Sequence, residues 1–118
     1  PADITAFAPA TNGDCSNPTA ISGTGTFAFD NSAGTTGAEG QNEYICYAFG
    51  TSAVNNDVWF TWTAPSNDTF QVQTCGSSID TKIAAWPGGA CPTMSTSLAC
   101  NADWCGVQSA IIFPGTTG

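Results

Sequence analysis

Hydrophobic and polar residues alternate with period two in several segments of the chain. The segment 57–63 places Val, Phe and Trp in turn on one side and Trp, Thr and Thr on the other. In the segment 69–74, Phe70 and Val72 alternate with polar residues. Such alternation is typical of half-buried antiparallel strands. The turn formers at 64–68 predict that the two segments form a hairpin.

Further β-rich segments extend this pattern, and no stretch combines a 3.6-residue apolar period with helix caps. These segments are 25–29, 44–49, 81–86, 97–100 and 109–113. Several short strands at this spacing predict an all-β fold, an antiparallel β-sandwich. We expect one domain over residues 13–118.

An extended arm is predicted over residues 1–12, before the first cysteine. Ile4, Ala6 and Ala8 share one face of this segment when it is extended, and Phe7 lies on the other. The arm carries few charges. We expect one subunit to donate it as a strand to the next, and the alternative is that it folds back onto its own domain.

The charge balance narrows the possible functions. The chain has nine acidic residues, one base (Lys82) and no His, which gives a net charge of -8. Nucleic acids and anionic membrane surfaces need clusters of Lys and Arg, so neither is expected as a partner. Without His the commonest general base is missing. We therefore expect no enzymatic activity, and Lys82 is predicted to be a solvent-facing strand residue.

Six cysteines in so short a chain predict three disulfides, because no pattern of cysteines fits a zinc site. They are Cys15, Cys46, Cys75, Cys91, Cys100 and Cys105. Pairing in sequence order closes the shortest loops and is the expected arrangement. Disulfides persist in oxidising compartments. With no leader-like pattern at the first residues and no apolar run of membrane-spanning length, we expect a processed, secreted or cell-surface chain without a membrane span.

Loop acids are the candidates for a metal site. Asp80, Asn101 and Asp103 lie near cysteines in predicted loops, and their hard oxygens suit a weak extracellular calcium site. The alternative is that these side chains cap turns by accepting backbone N–H groups. No other cofactor is expected, and nothing marks a catalytic carboxylate pair.

The alternation of apolar residues does not place three of the tryptophans on a core-facing side of a strand. Trp59, Trp86 and Trp104 could stack on a sugar or contact a protein partner. The alternative, favoured for Trp59, is that a neighbouring segment or subunit covers the ring. Asn67 begins an Asn-Asp-Thr sequence in the predicted turn and is a possible glycosylation site.

Four short motifs carry a resemblance to a known family. They are Asn12-Gly13-Asp14-Cys15, Asp57-Val58-Trp59-Phe60-Thr61-Trp62-Thr63-Ala64-Pro65, Thr74-Cys75-Gly76-Ser77-Ser78-Ile79-Asp80-Thr81 and Leu98-Ala99-Cys100-Asn101. Over residues 12–113 the chain resembles secreted bacterial β-sandwich modules related to pre-peptidase C-terminal domains. The resemblance implies a jelly-roll-like sandwich that serves in binding or adhesion rather than catalysis.

Two departures from that family affect the expectations. Ala102-Asp103 stands where the family usually has two acids, which removes one potential calcium ligand. The sequence ends at Gly118, where family members continue, so the resemblance implies a sandwich that lacks its last strand or two. We expect a structural subunit that forms an extracellular homopolymer by strand donation. The alternative is a calcium-assisted carbohydrate- or protein-binding module of a larger secreted enzyme or adhesin.

Overall fold

The structure is a computed structural model, and it describes residues 12–92 and 96–117. Within these ranges the regular elements are six strands and one 3-10 turn, and no α-helix occurs. The elements are β1 (Thr19–Ser22), a 3-10 turn (Tyr44–Cys46), β2 (Phe60–Thr63), β3 (Asp68–Gln73), β4 (Ile83–Ala85), β5 (Ala99–Asn101) and β6 (Ala110–Gly115). The prediction of a mostly-β fold is confirmed.

The strands form three two-stranded sheets. β1 pairs with β2 in parallel, whereas β3 pairs with β6 and β4 with β5 in antiparallel fashion. The predicted hairpin between β2 and β3 is wrong, since each of these strands pairs with a strand distant in sequence. Over the described residues the sheets do not join into a closed sandwich or jelly roll.

Aromatic contacts join the β1–β2 pair to the β3–β6 pair. Trp62 on β2 lies edge-on to Phe70 on β3, with ring centroids 4.9 Å apart, and also meets Phe113 on β6 edge-on. Phe70 and Phe113 lie directly opposite each other in the β3–β6 register. Gly115 is in close contact here, because a Cβ at this position would come within 2.9 Å of the Phe70 ring. Strands β2 and β3 are therefore linked by packing rather than by a hairpin ladder.

Two predicted strands are absent and one observed strand was not predicted. Residues 25–29 form no strand, and 44–49 instead contain the 3-10 turn followed by a tight two-residue turn. β1 was missed because its alternation is short and weak. Alternation shows that a segment can be extended, but a strand also needs a hydrogen-bonding partner, which these segments lack among the described residues.

The six cysteines form three disulfides, but the predicted sequential pairing is wrong. The pairs are Cys15–Cys91, Cys46–Cys100 and Cys75–Cys105. Each bridge joins segments that the sheets bring together from distant parts of the sequence, and Cys46–Cys100 ties the 3-10 turn to β5. Three disulfides are consistent with an oxidising compartment.

Candidate functional site

The β3–β6 ladder fixes the direction of each backbone group on β3. Thr74 lies opposite Ser109 in continuation of the β3–β6 register, and its N–H donates to the Ser109 carbonyl over 2.8 Å. Hydrogen-bonded and non-hydrogen-bonded pairs alternate along an antiparallel ladder. The backbone groups of Val72 and Phe70 therefore also point towards β6.

The intervening residues of β3 present their backbone groups on the opposite side. These residues are Thr69, Gln71 and Gln73, and we call their outward backbone groups the β3 edge. The Thr69 N–H is accepted by the Asp68 carboxylate at 2.8 Å, as expected for a group that does not face β6. Among the described residues no strand pairs with this edge. The β3 edge is therefore open to another strand.

The outer edge of β6 is protected by comparison. The Ala110 N–H points away from β3 and donates to the side-chain oxygen of Asn101 at 3.3 Å. Pro114 occupies another outward position on β6 and has no N–H to offer. These two features leave β6 a poor template for a further strand. On β3 the Thr69 N–H is bonded by the Asp68 carboxylate in a similar way, whereas no strand among the described residues covers Gln71 and Gln73.

After Asp68, the side chains of β3 also lack the usual protection of an edge strand. Natural edge strands commonly carry Lys, Pro or inward-pointing charges that prevent pairing with another chain. From Thr69 to Gln73 the strand has no charged residue and no Pro. Val72 is 41% exposed and Ile112 of β6 is 51% exposed. The β3–β6 sheet thus combines an unguarded backbone edge with exposed apolar side chains.

Two of the predicted aromatic residues come together beside buried carboxylates. Trp59 and Trp86 pack with ring centroids 5.3 Å apart. The Trp59 indole N–H donates to Asp57, and the Trp86 indole N–H donates to Glu43 at 3.0 Å. Gly40, with a φ of +78°, lies against the Trp86 ring, where a Cβ would approach to 3.3 Å. Trp59 and Trp86 are half-buried parts of this packed cluster, and their role as contact residues stays a prediction.

Glu43 is the most extensively bonded of the carboxylates. It is only 2% exposed and accepts the Ser97 hydroxyl at 2.8 Å as well as the backbone N–H groups of Thr96 and Ser97. Burial raises the pKa of Glu43, but the hydrogen bonds from Trp86, Ser97 and Thr96 outweigh it, so the pKa lies below its ordinary value. Glu43 is therefore held as a carboxylate with a structural role, which no sequence pattern indicated.

The three residues of the predicted calcium site differ in their surroundings, although Asn101 and Asp103 line the same pocket. Asn101 uses its side-chain oxygen to accept the Ala110 N–H, whereas Asp80 and Asp103 are exposed. One other group of potential ligand atoms does converge, since the Glu39 carboxylate and the sulfurs of a cysteine pair lie within 4.8 Å of one another. Those sulfurs belong to the Cys15–Cys91 disulfide and are not thiolates. Calcium binding stays a prediction.

Sequence analysis missed an exposed aromatic surface. Residues 44–49 present Tyr44, Tyr47 and Phe49, which are 86%, 66% and 82% exposed. Beside them is an open pocket of about 260 Å³ between this segment and residues 100–103. We call residues 44–49 the aromatic loop. Its tyrosines and Phe49 were interpreted as part of a strand, although Gly50 directly after the segment is a turn former that could have indicated the loop.

Three other predicted residues are not among those that line this pocket. Trp104 is 59% exposed and remains available as a contact residue. Asn67 is exposed in the turn before β3, and its side-chain oxygen accepts the Thr117 N–H at 2.8 Å. Lys82 is not a solvent-facing strand residue: it is partly buried just before β4, and its ammonium donates to the carbonyls of Thr51 and Ala53. Burial lowers the pKa of Lys82.

The predicted arm residues Ile4, Ala6, Phe7 and Ala8 lie outside the described residues. In the ranges that the structure describes, no helix has the length and apolar character needed to cross a membrane. The chain matches no protein-family model, no curated protein and no solved structure. The resemblance to pre-peptidase C-terminal domains therefore stays a prediction.

Proposed function

We propose that the protein is a non-enzymatic, extracellular structural subunit that polymerises by strand addition. In this proposal, an extended segment of one copy pairs with the β3 edge of the next. The observation that carries the proposal is the asymmetry of the β3–β6 sheet, in which β6 is protected by Asn101 and Pro114 while β3 is open. An unprotected strand edge is a ready template for another chain.

The N-terminal arm is the proposed donor. Its alternating residues Ile4, Ala6 and Ala8 would lie on one face of an added strand, with Phe7 on the other. Strand addition would enlarge the β3–β6 sheet and cover part of its exposed apolar surface.

The product of this contact is a filament rather than a closed dimer. Donor and acceptor are different parts of the chain, so the contact is heterologous and repeats head to tail unless a ring closes. The absence of charge from Thr69 to Gln73 favours close approach of two copies that each carry a net charge of -8. Salt should therefore promote assembly by screening the remaining repulsion.

The proposal is tested by blocking the β3 edge without breaking the β3–β6 ladder. Gln71→Pro removes an N–H that points away from β6, so the intrachain ladder is preserved while an added strand loses its partner. Gln71→Lys places a charge at the same edge and is the second variant for blocking strand addition if the proline variant does not fold. Thr35→Lys in an exposed loop is the matched control for the added charge.

Electron microscopy and sedimentation should show filaments for the wild type and for Thr35→Lys, and monomers for the Gln71 variants. Deleting residues 1–10 should also give monomers that retain the acceptor edge. A wild-type protein that stays monomeric at high concentration, or Gln71 variants that polymerise normally, would refute strand addition at β3. Filaments that persist after the deletion would exclude the arm as donor.

A further inference from the structure

The aromatic loop ends in a tight turn with an unusual backbone conformation at Phe49. The backbone groups of Ala48 and Thr51 exchange two hydrogen bonds, of 2.9 and 3.1 Å, around a two-residue turn. Phe49 and Gly50 occupy the turn with φ values of +52° and +87°. Two consecutive positive φ values define the type I′ turn, whose first position strongly favours Asn, Asp or Gly.

Phe49 is therefore an unfavourable residue for its backbone position. A bulky side chain in the left-handed region is strained, and burial often compensates for such strain. Phe49 has little such compensation, because its side chain is 82% exposed at the tip of the turn. Strained residues that are not explained by packing point to a function at that position. The ring of Phe49 is thus placed in solvent beside the pocket.

The pocket combines this apolar rim with polar groups. Ile45, Tyr47 and Phe49 line one side, and Asn101 and Asp103 line the other. The Asn101 oxygen accepts the Ala110 N–H, which fixes the amide and leaves its NH₂ as a potential donor. Asp103 supplies an acceptor. Flat rings together with a hydrogen-bond donor and an acceptor match the alternating apolar faces and hydroxyl groups of a sugar ring.

We propose that this pocket binds one residue of a neutral glycan, stacked on Phe49 and Tyr47 and hydrogen-bonded to Asn101 and Asp103. The volume of about 260 Å³ suits a single hexose unit. The openness of the site to solvent would let a longer chain extend past it. This binding is independent of strand addition at β3, which lies on a different sheet.

Charge favours a neutral glycan over the two other kinds of occupant. An anionic ligand would meet Asp103 without a compensating base, since Lys82 is the chain's one base and its ammonium is bonded to backbone carbonyls. A second copy of the chain would bury Asp103 against a protein with a net charge of -8. Sugar hydroxyls can donate to this carboxylate without any charge of their own.

The test uses isothermal titration calorimetry and amide NMR shifts with cello-, manno-, malto- and chito-oligosaccharides as probes. Phe49→Asn removes the ring while keeping a residue that the turn accepts, because Asn-Gly is a preferred type I′ sequence. This variant should fold with an unchanged or higher melting temperature and bind about tenfold more weakly or worse. Phe27→Asn, which makes the same change outside the pocket, is the control and should bind normally.

Wild-type binding of at least one probe, retained at high salt and localised to residues 45–49 and 100–103, is the expected result. No binding by any probe at millimolar concentration would overturn the proposal, as would equal affinity of wild type and Phe49→Asn. If Phe49→Asn lost self-association without any loss of glycan binding, the loop would be a contact between copies and the glycan assignment would be wrong. Filament formation by Phe49→Asn alongside lost glycan binding would support both proposals separately.

Discussion

Trp86 donates its indole N–H to the buried carboxylate of Glu43 over 3.0 Å. The bond joins the residue after β4 to the residue before the 3-10 turn, 43 positions apart in sequence. Ser97 approaches the same carboxylate from the start of β5. Glu43 therefore links the base of the aromatic loop to the β4–β5 sheet, and the Cys46–Cys100 disulfide reinforces the connection.

Glu43→Gln should destabilise the fold. The amide turns one acceptor oxygen into a donor that faces the Trp86 or Ser97 donors, and hydrogen bonds to a charged group contribute about 1.5–3 kcal/mol. We expect a loss of about 2 kcal/mol in the free energy of unfolding, measured by urea denaturation. Asp80→Asn, at an exposed carboxylate, is the control and should change stability little. Equal stability of Glu43→Gln and wild type would contradict the structural role.

Stability should also depend on pH through Glu43. Its pKa in the folded state lies below the ordinary value of 4.5, so folding favours the carboxylate. The stabilisation is complete above the unfolded pKa and is lost as pH falls through the folded pKa. The wild-type melting temperature should fall more steeply on acidification below about pH 4.5 than that of Glu43→Gln. Parallel profiles for the two proteins would show that Glu43 does not contribute.

Ser109 holds a second buried polar contact. The residue is fully buried, and its hydroxyl lies 2.5 Å from the Thr81 carbonyl oxygen and 2.6 Å from that of Ala102. Ser109→Ala would leave a buried carbonyl without its donor, which typically costs about 1–3 kcal/mol. Chemical denaturation should show this loss, whereas Ser66→Ala in an exposed turn should not. A neutral Ser109→Ala substitution would mean that water replaces the hydroxyl.

The disulfide pairing can be checked chemically. Peptide mapping of the unreduced protein should recover Cys15–Cys91, Cys46–Cys100 and Cys75–Cys105. Replacing both cysteines of the 46–100 pair by Ala should lower stability by about 4 kcal/mol, because this bridge closes a long loop in the unfolded chain. Peptides linked in sequence order, such as one joining Cys100 to Cys105, would contradict the structure.

Local sequence patterns predicted which segments are extended better than they predicted the partners. The alternation around Phe70 correctly indicated a strand, but Val72 on the same face is 41% exposed, and the partner strand β6 lies about 40 positions further along the chain. A nearby turn at 64–68 favoured the wrong partner, because β2 and β3 lie in different sheets and contact each other through the rings of Trp62 and Phe70. Pairing of six cysteines could not be deduced for the same reason, since it depends on these long-range contacts.

The candidate surfaces were only partly predictable. The role of the three tryptophans as contact residues stays a prediction, and the contacts of Trp59 and Trp86 with buried carboxylates require segments far apart in sequence. The exposure of the aromatic loop could not be read from alternation, because the same spacing fits a half-buried strand. The β3 edge is open because no second strand pairs with β3 and because alternate backbone groups of β3 point away from β6. Neither property can be seen in the sequence of β3 alone.

The most direct test of the central proposal is amide hydrogen exchange on dispersed and assembled protein. In the dispersed protein, the Gln71 and Gln73 amides should exchange rapidly while those of Phe70 and Val72 are protected by β6. Assembly should then protect Gln71 and Gln73 as an added strand covers the β3 edge. Assembled protein in which Gln71 and Gln73 exchange as fast as in the dispersed form would contradict strand addition at β3.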